Sequence, residues 1–208
     1  MNDWKALFDT ATPDTPVFPD CALNSLAHFG LIQATGSDMR TFLQGQLTAD
    51  INAVTAGLTQ PSGHCSPKGR MLGSFLIFER DGELLLQVPA DRIEAMLKRL
   101  RMFVLRSDVT LTDVSDELAR FGVSGDCAAS LLPFVPETDF ASETREGVTI
   151  IRLPGDRPRF EVIGPAEAVS GLWTAVAAGA TVTDPAFWTL MDIRAGMPNV
   201  YEATAEAF

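Results

Sequence analysis

The chain is predicted to fold as an α+β protein of two similar lobes, each an antiparallel sheet with helices. Two pairs of apolar runs carry hairpin patterning: Met71 to Glu79 with Glu83 to Val88, and Gly147 to Leu153 with Arg159 to Ile163. Few of the connections are long enough for the crossover that parallel strands need. The order strand, helix, hairpin, helix occurs once in each half. The expected organisation is an extended N-terminal arm over 1–20, a first lobe over 21–105 and a second over 106–208, with strands open to exchange between the lobes.

The arm holds Pro13, Pro16 and Pro19 among acids and threonines, after a short helix over Trp4 to Phe8. Leu31 to Ala34 reads as a strand, and Gly36-Ser37-Asp38 supplies a turn and a helix N-cap. The helix from Met39 buries Phe42, Leu43 and Leu47 and breaks at Gly45. Arg80-Asp81-Gly82 turns the first hairpin. Asp91 opens a helix with Glu94 placed as its capping-box partner. Ile93, Met96, Leu97, Leu100 and Val104 form one apolar face of that helix, with Lys98, Arg99 and Arg101 as a solvated basic face. In the second half, Val109, Leu111 and Phe121 to Val123 are strand-like, a short helix runs to Leu132, and Pro133 to Glu146 is a loop. Gly164-Pro165 opens a helix that buries Val169, Leu172, Trp173 and Val176. Asp184-Pro185 starts the last helix, which stops at Gly196.

With 208 residues, 46% of them hydrophobic and 21% charged, the chain has the composition of a globular protein with a sizeable core. Its net charge of −11 disfavours tight sequence-independent nucleic-acid binding, which rests on phosphate neutralisation. No apolar run approaches the ~18 residues of a membrane span, and the acidic start lacks the features of a leader, so a cytoplasmic protein is expected. Cys21, Cys65 and Cys127 are widely spaced, with no CxxC. They are read as separate small buried residues, neither a disulfide framework nor a complete metal or cluster site.

The stretch Phe42 to Phe78 is the densest in polar chemistry. Gln44, Gln46, Thr48, Asp50, His64, Lys68 and Arg70 lie between a helix end and a buried strand, a set able to hold an anion or a polar ring. The same residues would also serve an ordinary solvated loop. No Ser-His-Asp or Cys-His spacing and no phosphate loop stands out.

FLQGQLTAD followed by HCSPKGRM, together with Trp188 to Pro198 ending in an A-G-x-P turn, resembles the folate-binding domain of the glycine-cleavage T-protein (aminomethyltransferase) superfamily. Within it, the match is to the YgfZ subgroup, which is linked to iron–sulfur cluster maintenance. The resemblance spans Leu31 to Phe208. It implies two lobes with tetrahydrofolate, or another reduced folate, bound between them. Phe29 and Trp188 match the subgroup's pocket aromatics, although without the resemblance core packing is the better reading of Trp188. Lys68 and Arg70 suit the carboxylates of the folate tail, with Gly69 between them leaving the backbone open. Arg106, Gln46 and Asp50 are further polar candidates, and Asn199 and Tyr201 follow the A-G-x-P turn.

The departures narrow the function. Where T-proteins carry acidic residues, this chain has Gly73 and Ser74, and neither holds a carboxylate proton relay. Arg194 stands where many relatives place a glutamate that contacts the pterin, and it can only donate. The subgroup's P-Q-x-x-N segment, its K-G-C-Y-x-G-Q-E motif and its small C-terminal β-barrel do not occur in the 208 residues. The expectation is a folate-binding accessory protein for iron–sulfur cluster assembly or repair, with no catalytic residues. Its partners are folate and, by resemblance, iron–sulfur enzymes or assembly factors. A folate-dependent one-carbon transferase or demethylase is the alternative.

Overall fold

A computed structural model describes residues 4–8 and 18–207. In chain order its elements are helix α1 (Trp4–Phe8), strands β1 (Cys21–Ser25) and β2 (Phe29–Thr35), helix α2 (Met39–Gln46), strands β3 (Gln60–Cys65), β4 (Met71–Arg80) and β5 (Glu83–Pro89), and helix α3 (Ile93–Arg101). Strands β6 (Thr110–Asp113) and β7 (Leu118–Gly125), helix α4 (Ala128–Leu131), and strands β8 (Ser142–Arg145), β9 (Val148–Leu153) and β10 (Arg159–Pro165) follow. Helix α5 (Ala166–Ala177), strand β11 (Thr181–Thr183) and helix α6 (Pro185–Arg194) complete the set. The chain is α+β, as predicted. The part of the arm read over 9–17 lies outside the described residues.

The chain divides into two compact units. One comprises 1–27 and 116–197, the other 28–115 and 198–208. The linear boundary expected at 105/106 is therefore displaced. β6 lies beyond it in sequence but pairs with β2 in the unit built from 28–115, while β1 pairs with β7 and β11 in the other. Hydrogen bonding between distant segments, which position along the chain does not encode, sets the division.

In the unit of 28–115 and 198–208, the sheet order is β3-β4-β5-β2-β6, antiparallel throughout. The β4–β5 turn has Asp81 at φ 55° and Gly82 at φ 83°, two left-handed residues in succession as a tight hairpin turn requires. The core gathers Ile32, Leu43, Ile77, Leu86 and Leu100, each fully buried. Helix α3 adds Ile93, Met96 and Leu97 along its predicted apolar face. The capping box does not form. Asp91 sits in a short 3-10 turn ahead of α3, and its carboxylate accepts the Glu202 N–H at 2.9 Å instead. Helix α2 continues through Gly45 to Gln46, and β3 forms within the polar stretch between α2 and β4.

In the unit of 1–27 and 116–197, the sheet order is β11-β1-β7-β10-β9-β8. β1 and β11 run parallel, a departure from the antiparallel rule, and β8 lies inside the loop expected over Pro133 to Glu146. One sheet face carries Leu23, Phe121, Val123, Phe160 and Val162 against α5 and α1. There Phe8 stacks on Trp173 at 4.2 Å and meets Phe121 edge-on, fixing the short N-terminal helix. Helix α6 begins as predicted, with the Asp184 carboxylate accepting the Ala186 N–H and Pro185 in the first turn. The cysteine expectation is corrected. The register Cys21↔Gly125 brings Cys127 to Cys21 with their Cα atoms 5.8 Å apart, joined as a disulfide, and leaves Cys65 free. No described helix is long and apolar enough to cross a membrane.

Candidate functional site

The polar stretch sorts into residues that fix local structure and residues whose side chains are free. Gln44 Oε1 accepts the Ile51 N–H at 2.8 Å, Thr48 Oγ1 accepts the Gly63 N–H at 2.8 Å, and Asp50 accepts the Asn52 N–H at 3.1 Å. These three tie the α2–β3 connection to itself, so their first task is satisfying backbone donors. Lys68 and Arg70 are different. They flank Gly69 at φ 78° in the exposed β3–β4 turn, which the Gly69 N–H to Ser66 carbonyl bond closes at 2.9 Å. Neither side chain has a hydrogen-bond or ion-pair partner among the described residues.

His64 lies on β3 and is buried. Its Nδ1 meets the Gln46 carbonyl at 2.8 Å, and its Nε2 accepts from Arg99 Nε at 2.9 Å. The arrangement requires a neutral ring with its proton on Nδ1, since Arg99 can only donate. Burial holds the imidazole pKa below 6.5, the carbonyl of Gln46 opposes that shift, and the Arg99 charge reinforces it. The basic face read on α3 is thus corrected at Arg99, while Lys98 and Arg101 remain exposed. Arg99 is committed to His64, and Arg101 donates from Nε to the Leu111 carbonyl at 3.2 Å.

The last residues of the chain run beside β4. The Val200 N–H donates to Ser74 Oγ at 2.8 Å, and the Glu206 N–H donates to the Met71 carbonyl at 2.9 Å. Asn199 and Tyr201 are therefore brought to the segment that begins with Arg70. Ser74 is buried and engaged as an acceptor for this tail. Gly73 is filled from the far side: a Cβ added there would lie 2.6 Å from Met96 Sδ. The two positions that lack acids thus hold a tail and a methionine. Neither contact has a local signal in the sequence, because the partners lie far away along the chain.

The remaining candidates are dispersed. Phe29 opens β2, buried, with its ring 4.3 Å from that of His28. Gln46 ends α2, half-buried, its carbonyl taken by His64. Arg106 is exposed in the turn after α3. In the other unit, Trp188 is fully buried on α6 with the Arg159 guanidinium 4.5 Å from its ring centroid, and Arg159 is itself paired with the buried Asp192. Arg194 faces Asp156 at 3.6 Å and covers the Phe18 ring at 4.7 Å. A small cleft there is lined by Phe18, Phe187, Met191, Arg157 and Arg194. Among the described residues, no three His, Cys, Asp or Glu side chains converge as a metal site.

No family model matches the sequence. The chain is similar to a protein of Colwellia psychrerythraea named tRNA-modifying protein YgfZ, 28% identical over 190 residues, which is 89% of this chain and 58% of that protein. It is also similar to the protein of the same name from Photorhabdus laumondii, 27% identical over 209 aligned positions, 99% of this chain and 63% of that one. The chain therefore spans about three-fifths of the length of these curated relatives. Among solved structures, the glycine cleavage system aminomethyltransferase T from Bartonella henselae superposes with a TM-score of 0.69 at 16% identity, over 79% of this chain and 47% of that one. The heterotetrameric sarcosine oxidase from Corynebacterium sp. superposes with a TM-score of 0.54 at 14% identity, over 79% and 87%. At these identities the likeness is one of fold.

Proposed function

We propose that this chain, which belongs to the YgfZ group of the aminomethyltransferase-like superfamily, is a reduced-folate-binding accessory protein that supports iron–sulfur cluster assembly or repair. The observation that carries the reading is the contrast across one short stretch. Lys68 and Arg70 stand exposed and, among the described residues, unpaired in a chain of net charge −11, while neither Gly73, which lies against Met96, nor Ser74, which accepts the Val200 N–H, carries an acid. Free cations on a glycine turn suit the carboxylates of a folate tail. With no acid at positions 73 and 74, the relay that the T-proteins place there is missing, so the reading is of a binder.

Asn199 and Tyr201, beside the same segment, are assigned to the ligand with Lys68 and Arg70. Phe29, Gln46, Asp50 and Arg106 are the other candidates in that unit, and Trp188 and Arg194 those in the second. The relatives' name concerns tRNA modification, and the acidic charge of this chain weighs against tight direct contact with RNA.

The test is calorimetric titration with tetrahydrofolate and with its 5-formyl derivative. Binding is expected for the wild-type chain, weakened at least tenfold by the double change Lys68→Glu and Arg70→Glu. Absence of binding to both folates overturns the reading. So does glycine-cleavage turnover with lipoyl carrier protein, which would make the protein a transferase.

A further inference from the structure

The turn that follows α3 presents large apolar side chains to solvent. Leu105 is 88% exposed, Met102 56% and Phe103 42%. This is no frayed loop. Successive bonds from the Met102, Phe103 and Val104 N–H groups to the carbonyls of Arg99, Leu100 and Arg101 wind it tightly, and the Ser107 N–H to Val104 carbonyl bond closes it at 2.9 Å. Leu105 sits at φ 46°, a left-handed conformation that costs a leucine energy and turns its side chain outward. Four of the chain's sixteen cationic residues lie between 98 and 106, and no acid occurs between Glu94 and Asp108. Lys98 and Arg106 are exposed with no partner among the described residues, and the Arg99 guanidinium lies 5.7 Å from the Phe103 ring centroid.

We propose that Met102–Ser107 is a docking tip that inserts Met102, Phe103 and Leu105 into an apolar pocket rimmed by carboxylates on a partner protein. Exposed apolar clusters framed by charge mark interaction sites, and a prewound tip loses little conformational freedom when it docks. Lys98 and Arg106 set the sign of the partner's rim. The aliphatic character favours protein over nucleic acid, because leucine and methionine have no counterpart in a phosphate backbone and the single aromatic already lies against Arg99. A second copy of this chain meeting the tip head-on would set Lys98 and Arg106 against their equivalents. A lipid surface would have to accept a chain of net charge −11. The proposal does not depend on folate binding.

The experiment places a diazirine-bearing leucine analogue at position 105 of the full chain in cells, irradiates, and identifies the adduct by mass spectrometry. Binding of the captured protein, purified, is then measured against the wild-type chain and against Leu105→Asn and Lys98→Glu. Asn tolerates the left-handed backbone and removes the apolar side chain, so the fold is kept. The expected result is a discrete protein adduct on an acidic, apolar surface, with at least a tenfold loss of affinity in each variant and unchanged folate binding. No adduct, an adduct to lipid, RNA or this chain itself, or equal affinity in the variants overturns the proposal.

Discussion

The ring of Trp188 occupies the space that a side chain on Gly122 would need. A Cβ on this β7 glycine would run into the six-membered ring of the indole, and the opposing demand comes from Arg159, whose guanidinium lies 4.5 Å from the ring centroid. Gly122→Ala must therefore displace a fully buried tryptophan. The expected cost is about 1–3 kcal/mol, the range for overpacked cores. Pairing it with Trp188→Leu should recover part of that loss, since contacting residues couple. Urea midpoints of the two single variants and the double variant check this, and simple additivity would show that the ring can move aside freely.

How much of this was legible depends on how far apart the partners lie. Arg80-Asp81-Gly82 and Asp184-Pro185 carry their geometry in adjacent residues, and both elements formed as read. The α3 face was legible because its period is local. β3 and β11 were not, because a short run such as Gln60 to Cys65 becomes a strand only through its pairing with β4. Asp91 looked like half of a capping box, yet Glu202, far along the chain, claimed its carboxylate. In the candidate site, the free cations Lys68 and Arg70 were readable from residue type and the glycine between them. The roles of Arg99 and Ser74 were not, since His64 and Val200 are neighbours only after folding.

His64 gives stability a pH dependence of definite sign. Its folded pKa lies below the ordinary histidine value of 6.5, mainly through burial. Above 6.5 the imidazole is neutral in both states, and the buried His64 with its Gln46 and Arg99 bonds contributes in full. As pH falls from 6.5 toward the lower folded value, the unfolded chain takes up a proton that the native ring resists, and stability drops. The urea midpoint should decline between about pH 7 and pH 5, the interval around the reference histidine pKa. His64→Gln should start from a lower midpoint but lose less over that interval. A wild-type midpoint that rises on acidification would contradict the neutral Nδ1–H assignment.

Ser74 holds the tail through one bond to a buried backbone group, with Val200 only 1% exposed. Ser74→Ala leaves that N–H without its acceptor, which costs about 1–3 kcal/mol. The change should surface locally. Amide exchange at Val200 and Tyr201 should accelerate by at least tenfold while β5 and β2 keep their protection. If Asn199 and Tyr201 contact the ligand, folate affinity should fall in the same variant. Unchanged exchange at Val200 would mean that Glu206 and Glu202 hold the tail without help from Ser74.

The bridge between Cys21 and Cys127 joins the first residue of β1 to the turn after β7, a sequence separation of 106. In the unfolded chain it would close a large loop, so its stabilisation should lie at about 2–5 kcal/mol. Because Cys127 is partly exposed, reductant can reach the bond in the native protein. Alkylation of the denatured, unreduced protein should label Cys65 alone, and prior reduction should add two further labels. Cys21→Ser should lower the melting temperature of the oxidised protein to that of the reduced wild type, and reductant should then have no further effect on the variant. Three labels on protein purified under air, or a melting temperature that ignores reductant, would show that the two thiols sit side by side without bonding.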